Sequence, residues 1–131
     1  MEPSELLEAL VGALMALGEL GLPNVPKDAD SRRAVGAALG NAQVKVERIE
    51  RYGLAAEDFY ERPAKTAASG VEDRRRQTKN ALEIGAMSLF SGSSMETCHR
   101  DLARAMRALA ELIDAERSLI VASEAPRLLI A

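Results

Sequence analysis

Apolar residues recur every three or four positions through almost the whole chain, the spacing that places them along one side of a helix. The clearest run passes from Met95 through Cys98, Leu102, Ala105, Met106, Leu109, Leu112 and Ile113 to Leu119. A helix with such a stripe cannot bury it alone, so the pattern predicts helices packed on one another. Leu6, Leu7, Leu10, Val11, Leu14 and Leu17 cover more of the circumference of a first helix, with Ser4 as its expected cap and Glu5 in its first turn. Gly18, Gly21, Pro23, Asn24, Pro26 and Asp28 then crowd a connection that cannot continue helically. A second helix is expected from Asp30 or Ser31, with Val35, Leu39, Ala42, Val46 and Ile49 on one face. It stops at Gly53, a residue suited to the left-handed turn after a helix, and Ala55 to Glu61 adds one or two further turns.

The third helix begins either near Pro63 or after Gly70 and passes through Val71, Thr78, Leu82, Ala86 and Leu89, with Arg75 interrupting its stripe. Ser91, Gly92, Ser93 and Ser94 mark the next break, and Ser93 with Glu96 has the spacing of a capping box for the last helix. After Ser118 come Leu119, Ile120, Val121 and Ala122, then, past Pro126, Leu128, Leu129 and Ile130. This apolar C-terminal tail is compatible with helix, strand or extended chain. The prediction is an all-α fold forming a single domain over residues 1–131: about four long helices in a mostly antiparallel bundle, because short connections favour antiparallel neighbours.

Composition narrows the class without naming a chemistry. With 131 residues, 47% of them apolar and 28% charged, the chain matches one ordinary globular domain. Its single cysteine, Cys98, excludes an internal disulfide and a thiolate-built zinc site, and a reducing cytoplasmic setting is the default expectation. The stretch most like a membrane segment, Leu6 to Leu22, is interrupted by Glu8 and Glu19 and lacks a basic start, so it reads as a buried helix.

Catalytic or cofactor-binding sets are incomplete. Glu96-x-x-His99 has the spacing of a helical metal-ligand pair, but His99 is the lone histidine and Glu96 already has a capping role. Cys98 lies near a helix start, which can lower a thiol's pKa, yet it also lies on the apolar stripe and reads as a structural residue. No glycine loop carries the Lys-Ser/Thr that cradles phosphate. No cofactor is expected. Glu47-x-x-Glu50 and Glu111-x-x-Asp114 resemble, in spacing, the paired acids with which all-helical nucleotide pyrophosphatases of the MazG type hold magnesium against a nucleotide's phosphates. The resemblance covers four residues and implies a magnesium-dependent nucleotide hydrolase. Family members place further acids beside the first pair, whereas Arg48 and Arg51 stand there in this chain, and pairing of Glu47 with Arg51 accounts for the charges without a metal.

Charge is segregated despite a net value of −3. Residues 1–30 set Lys27 against six acids, and residues 62–79 set Arg62, Lys65, Arg74, Arg75, Arg76 and Lys79 against Glu72 and Asp73. Arg100, Arg104 and Arg107 recur on the last helix opposite its stripe. Arg74, Arg75, Arg76, Lys79, Arg100, Arg104 and Arg107 are therefore candidates for gripping an RNA or DNA backbone. Only four aromatic residues, two Tyr and two Phe, leave few platforms for stacking bases. The rival expectation is protein–protein contact. Gly36 and Gly40, with Ala34, Ala37, Ala38 and Ala42, give the second helix a small-sided surface that another backbone can approach, and Leu128, Leu129 and Ile130 form an apolar patch. The expected function is a non-catalytic assembly or adaptor subunit that contacts copies of itself or other proteins. A nucleoprotein subunit is the alternative.

Overall fold

The computed structural model describes the backbone of residues 2–55 and 62–130, and the side chains of residues 2–55 and 70–124. Four helices make up the described chain: α1 Pro3–Glu19, α2 Ala29–Tyr52, α3 Arg62–Phe90 and α4 Met95–Ile130. Among the described residues each helix packs on its two neighbours in the cycle α1, α2, α3, α4, and across the α2–α4 diagonal Arg32 reaches the Met95 sulfur at 3.9 Å. Contacts between α2 and α3 run in opposite order, Gly36 against Phe90 and Leu54 against Arg75, as do those between α3 and α4, Arg74 with Glu111 and Ser88 with Asp101. The result is an antiparallel all-α bundle.

The predicted stripes form its core. Leu6, Leu10 and Leu17 of α1, Val35, Leu39, Val46 and Ile49 of α2, Val71, Leu82 and Leu89 of α3, and Leu102, Leu109, Leu112 and Leu119 of α4 make one buried cluster. The third helix starts at Arg62, so it follows the earlier of the two expected beginnings. The C-terminal stretch is not a separate tail, because the backbone of α4 continues through Pro126 to Ile130. Its candidate interface residues Leu128, Leu129 and Ile130 lie outside the described side chains. The expected turns from Ala55 to Glu61 lie, beyond Ala55, outside the described residues.

Helix ends differ from expectation by one or two residues. Glu2 rather than Ser4 precedes α1, and Pro3 occupies the first turn, where its missing N–H has no helical acceptor to lose. Asp28 caps α2 by accepting from the Ser31 N–H at 2.7 Å and from the Ser31 hydroxyl at 2.8 Å. These bonds hold the Asp28 carboxyl below its ordinary pKa. Ser94, not Ser93, caps α4, accepting from the Thr97 N–H at 3.1 Å. Gly21, at φ 91°, closes α1 in a Schellman turn: its N–H reaches the Gly18 carbonyl at 3.0 Å and that of Leu22 reaches Leu17 at 3.3 Å. Gly53 is not left-handed, its φ and ψ being −82° and −177°. Glycine fits there because an added Cβ would collide with the Ile49 carbonyl oxygen and lie 3.2 Å from the Arg75 guanidinium.

Gly12 needs neither a special conformation nor a close neighbour, since an added Cβ meets nothing within 4 Å. Gly12→Ala is expected to raise the unfolding free energy by about 0.5–1 kcal/mol through helix propensity, checked by urea denaturation.

Candidate interaction face

Charged residues that the stripes swallow are neutralised inside the bundle. Arg75, 2% exposed, donates from Nε and Nη2 to both carboxylate oxygens of Glu116 at 2.9 and 2.7 Å, and Nη2 also reaches the Leu54 carbonyl at 2.9 Å. This fork ties α3, α4 and the end of α2 together. Burial pushes the Glu116 pKa above its ordinary value, and Arg75 opposes that rise. The cavity beside the pair, bounded by Pro3, Leu6, Ile49, Gly53, Leu54 and Ile120, holds about 10 Å³, room for no more than a water molecule. At the opposite end Asp101 is buried and accepts from the Ser88 hydroxyl. Cys98 is buried nearby, and burial raises its thiol pKa. Arg32 ties that end shut, donating to the Pro26 and Leu89 carbonyls at 3.0 Å each.

The candidate nucleic-acid contacts separate. Arg75 is withdrawn from any phosphate by its burial, which corrects its place in that set. Arg74 pairs with Glu111 of α4 at 3.3 Å, Arg76 with Asp73 at 2.6 Å, and Lys79 with Glu50 of α2 at 2.6 Å. Arg74, Arg75, Arg76 and Lys79 thus point in several directions, each meeting a carboxylate. Arg100 lies 3.5 Å from Asp101. Arg104 and Arg107 are exposed and meet no partner among the described residues.

The four acids that resemble the pyrophosphatase pairs are all exposed and stand on α2 and α4, which lie diagonally across the bundle rather than packed side by side. Glu50 is engaged by Lys79, Glu111 by Arg74, and Asp114 by Arg117 at 3.5 Å. Among the described residues no three His, Cys, Asp or Glu side chains gather as metal ligands, and Glu96 and His99 both face solvent.

The small-sided surface of α2 has two halves with different surroundings. At Gly36 the Phe90 ring of α3 closes in, so that an added Cβ would stand 2.9 Å from its Cε2. At Gly40 an added Cβ meets nothing within 4 Å. On the same two helices large apolar side chains turn to solvent: Val44 of α2 is 45% exposed, and Ile84, Met87 and Phe90 of α3 are 51%, 61% and 59% exposed. Spaced by three residues, the last three follow the outer side of α3, while Gly36, Gly40 and Val44 form a row on α2. The Phe90–Gly36 contact joins the two rows into one apolar strip. Ile84, Met87 and Phe90 lie off the buried stripe that the sequence makes plain; their signal is a second apolar spacing beside it.

Among the described residues no helix is long and apolar enough to cross a membrane. Comparison of the chain with protein-family models, curated proteins and solved structures finds no match.

Proposed function

We propose that the chain is a non-catalytic assembly subunit that meets another protein surface through the α2–α3 face. The strip formed by Val44, Ile84, Met87 and Phe90 beside the open backbone of Gly40 carries this reading. Scattered apolar side chains on a surface need no explanation, but a joined strip favours burial against a partner. The interface positions Gly36 and Gly40 sit differently in that strip. Gly36 lets Phe90 pack close and stay partly outward, and Gly40 leaves room for an incoming side chain or backbone.

The test is solution mass by light scattering for the wild type and for Val44→Asp/Met87→Asp. Loss of assembly to a 14.1 kDa species with unchanged helical circular dichroism is expected. Two charges at half-exposed positions cost the fold little, whereas a desolvated charge in an interface costs it heavily. Assembly indifferent to both substitutions would remove the reading. The nucleoprotein alternative keeps Arg100, Arg104 and Arg107, whose spacing places them on the outer side of α4. It predicts nucleic acid that co-purifies with the chain and is shed at high salt.

A further inference from the structure

We infer that the occupant of the α2–α3 face is a second copy of this chain, its α2 lying antiparallel across the first with a two-fold axis at Gly40. This rests on the assembly reading and names its partner. Arg33, Gly40, Val44, Glu47 and Arg51 are spaced by seven, four, three and four residues, so they share one edge of α2, with Gly36 and Ala37 alongside. An axis at Gly40 sets each residue opposite the one equally far on the other side. Arg33 then meets Glu47 of the second copy, Gly36 meets Val44, and Arg51 arrives at Ala29, between Asp28 and Asp30. On this edge Arg33, which within one copy pairs with Asp30, gains Glu47, and Arg51 gains Asp28 and Asp30; symmetry makes each meeting twice. A parallel pairing would set Arg33 against Arg33 and Glu47 against Glu47.

The local structure suits that crossing. The backbone is bare at Gly40, which lets two helices approach closely. Glu47 is exposed and has no partner among the described residues, although Arg48 and Arg51 are near in sequence. With Val44, Arg48, Arg51 and Tyr52 it lines an open depression of about 160 Å³. Phe90, standing over Gly36, is the projecting side chain at the level where the second copy presents Val44. The ring of each copy thereby enters the depression of the other. Met87 and Ile84 extend the covered apolar strip outward.

A residue on a two-fold axis meets itself, which gives a direct test. Gly40→Cys in the full chain is expected to form a covalent dimer on mild oxidation, because a disulfide requires Cα atoms only about 5.5–6 Å apart. Cys98 is buried and contributes no competing thiol. Gly12→Cys, equally open but on α1, is expected to stay monomeric on a non-reducing gel. Arg33→Glu and Glu47→Arg should each weaken the dimer about tenfold, and the two together should restore it to within about threefold of wild type. A wild-type chain that remains monomeric overturns the second copy as occupant but leaves the face open to a different protein. A dimer that survives Val44→Asp/Met87→Asp and is not trapped by Gly40→Cys overturns both this inference and the assembly reading.

Discussion

Arg75→Ala is expected to lower the unfolding free energy by about 3–5 kcal/mol, the usual cost of leaving one member of a buried ion pair without the other. For a chain of this length that is a drop in Tm of roughly 10–20 °C. The reason is local. Glu116 keeps its burial but loses two charge-assisted hydrogen bonds, and the Leu54 carbonyl loses the donor that anchors the end of α2. The deficit should depend on pH. Burial already raises the folded-state pKa of Glu116 above the ordinary 4.5, and removing Arg75, which pulls it down, raises it further. A carboxyl whose folded pKa exceeds its unfolded value contributes stability below the unfolded value and loses it as pH climbs through the folded one. Urea titrations should therefore show a smaller deficit at about pH 4 than at about pH 7. A deficit of equal size at both would trace the damage to lost packing of the arginine stem. Arg75→Met/Glu116→Leu, which removes both charges and keeps the volume apolar, is expected to recover most of the loss.

That pair also marks where sequence reasoning reached its limit. Arg75 was visible as a break in the α3 stripe, and Glu116 occupies the matching kind of position on α4, four residues beyond Leu112 and seven beyond Leu109. Periodicity shows that each side chain faces inward. It does not show that they meet, because a separation of 41 positions along the chain leaves the order of helices around the bundle unspecified. The same gap separates the basic segment in sequence from its arrangement in space. A run of cations in sequence becomes, on a helix, a set of side chains about 100° apart per residue, so Arg74, Arg75 and Arg76 diverge toward α4, the core and solvent. The core itself was legible because three-to-four spacing is a local property of each helix. Cap positions shifted for a related reason: Asp28 and Ser94 were chosen by backbone geometry at the turn, among several serines and aspartates equally able to cap.

Leu102→Ala is expected to cost about 4 kcal/mol, near the upper part of the range for leucine truncation in a core, because its surroundings have little with which to refill the space. Leu102 is fully buried and faces Gly85 of α3. A Cβ placed on Gly85 would lie 3.5 Å from Leu102 Cδ2 and 3.6 Å from Ala105 Cβ, ordinary contact distances. Gly85→Ala alone should therefore gain about 0.5–1 kcal/mol from helix propensity without a clash. In the Leu102→Ala background the same methyl also borders the new cavity, so its gain should exceed that in the wild type. Such non-additivity is what contacting residues show, and a four-way cycle of urea midpoints measures it directly. If the two changes simply add, the α3–α4 seam is looser at Gly85 than these distances require. A larger gain in the double variant identifies the seam as the tightly packed part of the bundle, the rigid backing on which α3 presents Ile84 and Met87 outward.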